Sequence, residues 1–544
     1  MKAILVSINA KYIHTNNAVR LLKANSDFDI KILEFTIKDD IEYIINSIEE
    51  EKADVIGLSV YIWNANIFNS LINRLDKNKS KIVLGGPEVS YDAMKLIENK
   101  NIDFILKGEA EFTFTDLLNK LAKGNSPENV DGITFIKNGN IINNPIKEIK
   151  DLSNIKSPHF FESDIEHIPN KIAYIESSRG CPYKCSYCLS SLEKSVRFFD
   201  IETVKNEINY IMSKGTKTIK FLDRTFNANK NTFDLFDYII SINNNRTVFQ
   251  FEITGDTLDR SIIEHLNNKA PKGLIRFEIG IQSTNKETNL LVDRYQNNQV
   301  LFDNIRLIQE GNVIDLHLDL IAGLPKENKE SFIKTFNDVF SLGALELQLG
   351  FLKMLKGTKI RREANKYGYI YNELAPYEII ENDCLSKSDI DEIKQVEEML
   401  DIYHNKGYFG ENLLNYILMQ KSHYEFFLGI AKEYQIHNYS LKGYQIHEIY
   451  ERILSFINID DVNDKVKIDY LLRSKIKPKI FWNNNITKQT KRLIFENLSN
   501  NHSYNLNELF KHSVVIKVEE NFHVFYYKNL ISNQIIVKKK DITI

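Results

Sequence analysis

The chain has 544 residues, of which 43% are hydrophobic and 26% charged, and its formal net charge at pH 7 is −3. This composition is typical of a globular protein, and the length predicts about three or four domains. The near balance of charge gives no reason to expect a nucleic-acid partner, and no run approaches the roughly 18 apolar residues of a membrane span. The apolar run at the start is too short for a signal peptide, so we expect a cytoplasmic location.

Residues 1–135 alternate short apolar runs with amphipathic helical patterns. The alternation is typical of βαβ units, and it predicts an α/β domain with a Rossmann-like parallel sheet. The predicted strands are 3–8, 30–35, 55–62, 81–86 and 104–108. An empty or nucleotide-binding domain of this type is the alternative to a dedicated ligand site. Neither G-x-G-x-x-G nor G-x-x-x-x-G-K-[ST] occurs here, which argues against a nucleotide.

Small and polar residues follow these predicted strands. Ligands of parallel α/β sheets bind beyond the carboxyl ends of the strands, so these residues are candidates for a binding site. A Gly-Gly pair allows the backbone to approach a bulky ligand closely, and a small hydroxyl can hold a ligand arm by a hydrogen bond. The candidate set is Asn9, Ser59, Gly85, Gly86, Glu88 and Gly108.

Residues 136–170 contain proline and aspartate without a clear period, and we interpret them as a linker. Residues 171–370 carry six strand-like runs that are separated mostly by helical patterns. This repetition predicts a partial (β/α)6 barrel of the TIM type, with its chemistry at the carboxyl ends of the strands. The six predicted strands are 172–177, 218–222, 248–254, 274–281, 316–322 and 344–352.

A cysteine motif of spacing C-x3-C-x2-C directly follows the first of these strands, at Cys181, Cys185 and Cys188. Structural zinc needs a fourth cysteine or a histidine nearby, and neither lies on the loop, since Cys384 is far along the chain. A disulfide is not expected in a cytosolic protein. Three cysteines on one tight loop suit a [4Fe–4S] cluster in which one iron has no protein ligand, and a substrate can chelate that iron.

The cysteine loop resembles that of the radical S-adenosylmethionine (SAM) superfamily, including Tyr187 just before the third cysteine. The resemblance implies that SAM fills the open iron and is cleaved to a 5′-deoxyadenosyl radical. It also implies SAM contacts at the other strand ends, although Arg224 stands where the similar segments have a second acid after Asp223. Together with Tyr187, the implied SAM-contact residues are Asp223, Glu252, Glu278, Gln282, Ser283, Ile321 and Gly323.

The first domain resembles the cobalamin-binding domain that precedes the radical domain in one branch of that superfamily. The resemblance assigns the candidate set of the first domain to cobalamin. The D-x-H-x-x-G signature, whose histidine coordinates cobalt in many cobalamin proteins, is absent, because His14 has neither the preceding Asp nor the following Gly. We therefore expect cobalamin to bind without His14 as a ligand.

Residues 371–544 form the last predicted segment, mostly helical, with a β-hairpin near the end. The arrangement resembles members of the cobalamin branch that carry a carboxy-terminal domain of unknown function. Residues 473–482 interleave cations with aromatic residues, which is a faint nucleic-acid signal. A solvated edge with a packed aromatic residue is the simpler interpretation, since a few charges without a basic domain are usually just surface.

The resemblances together imply a cobalamin-dependent radical SAM enzyme, most simply a methyltransferase acting on an unactivated carbon of a small molecule or peptide. The electron donor would be a protein such as flavodoxin or ferredoxin. The alternatives are a cobalamin-binding enzyme that catalyses a rearrangement without methylation, and a cobalamin or redox sensor. A methylthiotransferase is excluded, because it needs three cysteines in its first domain and residues 1–180 contain none.

Overall fold

The computed structural model describes the chain apart from residues 77, 194, 480, 483–485, 503, 529–530 and 543–544. Its contacts divide the chain into two compact units. The first comprises Met1–Ser331 with Gly350–Lys387, and the second comprises Phe332–Leu349 with Ser388–Ile544. None of the helices in the described part of the chain is both long enough and apolar enough to cross a membrane.

The first unit begins with a seven-stranded sheet in the order β2-β1-β3-β4-β5-β6-β7. Its strands are β1 (Ala3–Asn9), β2 (Ile30–Thr36), β3 (Val55–Ser59), β4 (Lys81–Gly85), β5 (Phe104–Leu106), β6 (Ile133–Lys137) and β7 (Asn140–Asn143). The first five strands are parallel, and β6 and β7 continue the sheet antiparallel. The strand order reverses between β1 and β3, which makes their carboxyl ends a topological switch point where ligands of such sheets bind.

Apolar side chains on both faces of this sheet are covered by helices. The helices are α1 (Asn17–Ala24), α2 (Ile41–Glu50), α3 (Ala65–Ile72), α4 (Pro87–Ser90), α5 (Ala93–Leu96) and α6 (Glu111–Ala122). Local sequence fixes where they begin. The side chain of Asn16 accepts a hydrogen bond from the backbone of Val19, and Asp40 accepts two from the first turn of α2, so each caps a helix whose first N–H groups lack internal partners.

A second sheet, most of whose strands belong to the first unit, has six strands in the order β15-β14-β13-β12-β11-β8. The pairs from β8 to β14 are parallel. Its strands are β8 (Ile172–Ile175), β11 (Thr218–Phe221), β12 (Val248–Ile253), β13 (Ile275–Gln282), β14 (Asp315–Ala322) and β15 (Glu346–Phe351), and the two-residue strands β9 (Ser178–Arg179) and β10 (Arg197–Phe198) flank the cysteine loop.

Helices follow the barrel strands along the chain as in repeated βα units. They are α7 (Ile201–Ser213), α8 (Thr232–Ser241), α9 (Arg260–Lys269), α10 (Lys286–Leu291), α11 (Asn298–Gly311), α12 (Lys329–Phe340) and α13 (Lys359–Arg362), followed by strands β16 (Ile370–Tyr371) and β17 (Ile379–Glu381). Buried apolar residues alternate strictly with half-buried residues along β13 and β14. On each strand the half-buried face carries the polar and charged residues, which suits an interior that handles polar ligands.

The second unit is mainly helical and ends in a three-stranded antiparallel sheet. Its helices are α14 (Lys387–Leu400), α15 (Glu411–Leu418), α16 (His423–Ile436), α17 (Ile446–Ile457), α18 (Asp460–Arg473), α19 (Lys488–His502) and α20 (Leu506–His512), and its strands are β18 (Ser513–Val518), β19 (Asn521–Lys528) and β20 (Ile531–Lys538). Tyr403, Tyr424 and Tyr450 are among its fully buried side chains. The predicted hairpin is therefore present and gains a third strand.

Candidate functional site

The cysteine loop lies between β9 and β10, just past the carboxyl end of β8. Cys185 is buried, Cys181 and Cys188 are half-buried, and all are free thiols. Gly180 precedes the loop with a φ of 92°, and a Cβ there would lie 2.1 Å from the carbonyl oxygen of Ser195. The loop is held by backbone hydrogen bonds from Ser186 to the carbonyl of Val292, 2.8 Å, and from Ile360 to that of Ser186, 3.0 Å.

The cysteine loop carries three potential sulfur ligands within eight residues. Across the described ranges, no group of three or more His, Cys, Asp or Glu side chains could hold a single metal ion. A cubane cluster binds each cysteine through a different iron, so its ligands need not converge on one point. Three cysteines on one loop suit that mode of binding.

Arginines surround these thiols. Arg294 Nη1 lies 3.9 Å from Cys185 Sγ. The pKa of Arg224 is raised against the effect of burial, by Glu252 first and by Cys188 and Cys181 among the weaker causes. Burial raises the pKa of the Cys185 thiol, and the positive charge of Arg294 opposes that shift. Thiolate is the form of cysteine that binds metals, and neighbouring cations stabilise it. The surroundings therefore suit anionic sulfur ligands, although the arginines were not among the residues predicted from the sequence.

Tyr187 and Asp223 both have identifiable partners near the loop. The hydroxyl of Tyr187 lies 3.5 Å from Arg294 Nη1, and burial raises its pKa. The Asp223 carboxylate is buried and accepts hydrogen bonds from Ser177 N at 2.8 Å, Ser177 Oγ at 2.5 Å and Ser178 Oγ at 2.6 Å. Burial raises the pKa of Asp223 to about 6 despite these bonds. Asp223 thus holds the residues that lead into the cysteine loop.

Glu252 and Glu278 are neighbours in the parallel register of β12 and β13. Glu252 Oε1 lies 3.7 Å from Arg224 Nη1, and burial raises the pKa of Glu252 while Arg224 acts in the opposite direction. Glu278 forms an ion pair with Lys220 at 2.6 Å. Arg224 is 53% exposed, so the Arg224–Glu252 pair presents charge to the open part of this strand end.

Gln282 and Ser283 end β13, and their surroundings differ. Gln282 has a φ of 66°, follows a register shift at Gly280, and its buried Oε1 has no hydrogen-bond partner in the described residues. Such a strained, unsatisfied group is common at binding sites. Ser283 is fully buried and its Oγ donates to Glu327 Oε1 at 2.5 Å, so its hydroxyl is already used inside the fold.

Ile321 and Gly323 lie at the end of β14, and Ile321 is half-buried. Gly323 has a φ of 91°, and a Cβ there would lie 1.9 Å from Ile379 Cδ1. Its carbonyl oxygen accepts hydrogen bonds from Tyr369 and Asn382. The fold itself therefore requires glycine at 323, because the segment after the barrel packs directly on it.

The carboxyl ends of β1 and β3 carry a buried polar network in the first domain. Asn9 donates to Glu34 Oε1 at 3.1 Å, and Asn16 donates to the hydroxyl of Ser59 at 3.2 Å. Arg20 joins Glu34 to Asp164 by ion pairs of 2.6 and 2.7 Å. A cavity of about 450 Å³ lies beside this network. Asn9 and Ser59 are thus close together at the switch point, as expected, and both are already hydrogen-bonded.

The three glycines of the candidate set differ in whether the fold itself has room for a side chain at their position. A Cβ on Gly86, whose φ is 110°, would lie 2.4 Å from the carbonyl oxygen of Val60, and one on Gly108, whose φ is 72°, would lie 2.7 Å from Ile146 Cγ2. A Cβ on Gly85 would meet nothing closer than 4.0 Å. Gly85 therefore leaves open space at the strand end, where a bulky ligand could approach the backbone.

Glu88 is the last residue of the set. It is buried, and its Oε2 accepts a hydrogen bond of 2.6 Å from the hydroxyl of Tyr377. Lys356 also reaches its backbone carbonyl oxygen at 3.3 Å. Glu88 therefore ties the first domain to the segment that follows the barrel.

Two aromatic residues missed by the sequence analysis complete the end of β3. Tyr61 and Trp63 stack with ring centroids 4.5 Å apart, and Trp63 Nε1 donates to the carbonyl of Ile8 at 3.0 Å. Trp63 is 43% exposed, and burial raises the pKa of Tyr61. The end of β3 therefore presents a partly exposed aromatic surface. The aromatic character of residues 61–63 was the available signal.

His14 lies in the loop after β1, and its Nδ1 is 2.6 Å from the hydroxyl of Tyr174 on β8. Burial lowers the pKa of His14. The backbone of His14 forms a bridge with Ile172, and Thr15 donates to the carbonyl of Ile172 at 2.8 Å. The loop thus covers the edge of β8, which would otherwise expose unpaired backbone groups.

An ion-pair network joins the loop after β5 to the strand before the cysteines. Arg179 and Arg197 face each other across β9 and β10. Arg179 pairs with Glu111 at 2.7 Å and with Glu176 at 2.8 Å, while Arg197 pairs with Glu109 at 2.8 Å. Glu109 also lies 3.5 Å from Arg179. Its carboxylate therefore contacts both guanidinium groups, which would otherwise repel each other across the strand pair.

Comparison with known families accounts for this arrangement. Residues 4–118 match the B12 binding domain, residues 175–339 match the radical SAM superfamily, and residues 365–542 match the protein of unknown function DUF4080. The B12 match contains the switch point of the first sheet, and the radical SAM match contains the three cysteines. These families imply cobalamin, SAM and a [4Fe–4S] cluster as cofactors.

Individual relatives agree with the family matches. The chain is 28% identical over 220 residues to an uncharacterized methyltransferase of Pyrococcus horikoshii, covering 38% of this chain and 47% of the relative. It is 24% identical over 313 residues to the cobalamin-dependent radical SAM methyltransferase TokK of Streptomyces tokunonensis, covering 51% and 44%. The chain thus spans about half the length of these curated relatives.

The fold is also similar to that of a solved structure, the cobalamin-dependent S-adenosylmethionine radical enzyme OxsB with aqua-cobalamin and S-adenosylmethionine bound. The TM-score is 0.61 at 16% sequence identity, and the match covers 87% of this chain and 78% of OxsB. At that identity the likeness concerns the fold alone. The chain therefore combines, in order, segments that match the B12 binding domain, the radical SAM superfamily and the protein of unknown function DUF4080.

Proposed function

We propose that this protein is an enzyme that methylates an unactivated carbon with the help of a [4Fe–4S] cluster, SAM and cobalamin. The observation that carries the proposal is a direct contact, within the first unit, between the B12-binding domain and the strands that flank the cysteine loop. Arg179 and Arg197 on the strands that flank the cysteine loop pair with Glu111 at 2.7 Å and Glu109 at 2.8 Å, and both glutamates follow β5 of the B12-binding domain. A radical generator and a methyl carrier need to act on one substrate, so their sites should face each other.

The proposed roles of the residues follow from their contacts. The cluster would be held by Cys181, Cys185 and Cys188. Gln282 would form a hydrogen bond with SAM through its side-chain amide, whose Oε1 has no partner among the described residues. Glu252 and Arg224 would bind charged groups of SAM or substrate at the same strand end. When bound, the cluster and SAM supply a 5′-deoxyadenosyl radical and cobalamin supplies the methyl group, while the protein orients the reactants and excludes water.

The Trp63 ring and the open backbone at Gly85 would support cobalamin in the first domain. Asn9, Ser59, Gly86, Glu88 and Gly108 would act at a distance from the ligand, because each is committed to contacts inside the fold. We propose the division 1–135 for the cobalamin domain, 136–170 for the linker, 171–370 for the radical SAM core and 371–544 for the last domain. The substrate would be a small molecule or peptide, and the electron donor a flavodoxin or ferredoxin.

Cofactor and product analysis of anaerobically purified protein tests this function. We expect about four irons of one cluster and one cobalamin per chain, with SAM converted both to 5′-deoxyadenosine and to S-adenosylhomocysteine once a reductant is added. S-adenosylhomocysteine reports methyl transfer from SAM to cobalamin. Production of 5′-deoxyadenosine alone would instead favour the rearrangement without methylation. Absence of SAM cleavage in a cluster-loaded protein would favour the sensor.

A further inference from the structure

Arg294, which follows α10, is a half-buried arginine directed at a cysteine of the loop. Its Nη1 lies 3.9 Å from Cys185 Sγ and 3.5 Å from the hydroxyl of Tyr187. No sequence motif singled it out, because it lies more than 100 residues beyond the cysteines, and only the fold brings it to them.

The guanidinium of Arg294 is fixed in this position by two further hydrogen bonds. Nη2 donates to the carbonyl oxygen of Gly280, where β13 changes register, and Nε donates to Gln296 Oε1 at 3.0 Å. Gln296 in turn donates to the carbonyl of Ile281 at 3.3 Å. Two of the three guanidinium nitrogens, Nη2 and Nε, are therefore held, which leaves Nη1 aimed at sulfur with little freedom to turn.

The charge of Arg294 lacks an acidic counterpart in the described part of the chain. The buried arginines of this unit each have one, since Arg20 pairs with Glu34, Arg179 with Glu111 and Arg197 with Glu109. Withdrawing a charge from water is costly unless it is paired. For Arg294 the available anion is the sulfur of Cys185 once it is ionised and bound to iron.

We propose that Arg294 is a positioning residue that sets the reduction potential of the cluster through Cys185. This inference rests on the proposed function, because it requires a cluster on the cysteine loop. Hydrogen bonds to cluster sulfurs and nearby positive charge favour the more negative, reduced cluster, and so raise its potential. The step concerned is the transfer of one electron from the donor protein to the cluster, and Arg294 neither gains nor loses an electron or proton.

A redox titration of the reconstituted full-length protein, followed by EPR in the absence of SAM, tests the proposal. Arg294→Gln should shift the midpoint to more negative values, lowering the ratio of reduced to oxidised cluster at a fixed potential about tenfold, which equals about 59 mV for one electron. Arg294→Lys keeps the charge but loses the fork, so its shift should be smaller. Arg306→Gln is the matched control, because Arg306 is 57% exposed on α11 and pairs with Asp303.

Iron content and absorbance, measured on every variant, separate this proposal from the function on which it rests. Wild-type protein without a cluster would overturn both. An unchanged midpoint in Arg294→Gln with full iron content would overturn the role of Arg294 alone. A shift that appears only when SAM is present would also overturn it, since Arg294 would then act on SAM and not on the cluster.

A second measurement covers the case in which Arg294→Gln loses its cluster. Wild-type protein and Arg294→Lys, each grown with ¹⁵N-labelled arginine, are reduced and examined by pulsed EPR. We expect a ¹⁵N hyperfine coupling in wild type that is lost or clearly weakened in Arg294→Lys. Arg224 is present in both samples, so its contribution cancels in the comparison. Identical spectra would contradict a contact between Arg294 and the cluster.

Discussion

At the scale of single residues, the four cysteines of the chain differ in their surroundings. Cys181, Cys185 and Cys188 share one loop with arginines close by, whereas Cys384 lies in a turn that Asn382 closes by accepting the Cys384 backbone N–H at 2.9 Å. We expect Cys181→Ala, Cys185→Ala and Cys188→Ala each to abolish both the cluster and SAM cleavage, because no spare ligand lies on the loop. Cys384→Ala should keep both. Iron content decides, and a loss of iron in Cys384→Ala would refute the three-ligand site.

Gln282 and Asp223 were both expected to contact SAM, and their environments now separate them. The Oε1 of Gln282 is unsatisfied, whereas Asp223 is already bonded to Ser177 and Ser178. We expect Gln282→Ala to weaken SAM binding by about 1.5–3 kcal/mol, the contribution of a hydrogen bond to a charged group. Calorimetry on the cluster-loaded protein measures it. Asp223→Asn should mainly reduce the amount of cluster that the protein retains. A normal amount of cluster together with weak SAM binding would instead support the predicted contact between Asp223 and SAM.

Glu207 on α7 gives a residue-scale prediction for stability. It is 8% exposed, and burial raises its pKa from 4.5 to about 7. An acid with a raised pKa keeps its proton in the folded state while the unfolded chain ionises, so stability falls as pH rises from about 4.5 to 7 and is level above that. Glu207→Gln should therefore stabilise the protein at pH 8, on the order of 2–3 kcal/mol, and change little at pH 4.5.

Thermal unfolding of the apo protein at the two pH values checks the Glu207 prediction. Glu202→Gln on the same helix is the matched control, because Glu202 is 69% exposed and should show no pH-dependent gain. Equal effects of Glu207→Gln at both pH values would contradict the raised pKa.

At the scale of elements, the sequence predicted most of the strands because their hydrophobic pattern is strong. The five parallel strands of the first domain and the six barrel strands all fall on predicted runs. The strands that the sequence did not predict are short or depend on distant residues. β9 and β10 have two residues each, too few for a period. Two-residue strands form only because their partners are brought together by the loop between them.

The candidate site was predictable only in part, for a related reason. The spacing of the three cysteines alone predicts that they bind a cluster, so the sequence was sufficient to identify them. Arg294, Tyr61 and Trp63 gain their importance from neighbours more than 50 residues away, which spacing does not reveal. A glycine can also have more than one reason for its place. Gly86 stays a predicted ligand contact, and its φ and the carbonyl of Val60 require glycine there in any case.

The network around Glu109 yields an element-scale prediction. Glu109 contacts Arg197 at 2.8 Å and Arg179 at 3.5 Å, and so links the loop after β5 to the strand before the cysteines. Glu109→Gln should destabilise the apo protein by on the order of 3 kcal/mol, because it removes one partner of buried charges, and should slow cluster assembly. Urea unfolding measures the first effect. Glu128→Gln is the control, because Glu128 is an exposed partner of Lys137. An equal loss of stability in Glu128→Gln would contradict the contribution of the ion-pair network.

At the scale of the whole molecule, the two cofactor sites lie on different sheets of one unit, so each should be removable without the other. The cysteine loop follows β8, and the proposed cobalamin contacts follow β3 and β4. The cysteine variants should therefore retain cobalamin, and cobalamin-site variants should retain iron and SAM cleavage. A single site that holds both groups would lose them together.

Gly85→Val and Trp63→Ala are the decisive cobalamin-site variants. A Cβ at 85 meets nothing closer than Leu106 O at 4.0 Å, so lost cobalamin beside an unchanged melting temperature of the apo protein would report contact with the ligand and not misfolding. Gly86→Val is the contrasting variant, because its clash with Val60 should lower the melting temperature of the apo protein. His14→Ala should keep cobalamin, since its Nδ1 is occupied by Tyr174 and the D-x-H-x-x-G signature is absent. Cobalamin retained after gel filtration is the measurement, and wild-type protein that retains none would leave a radical SAM enzyme without the methyl carrier.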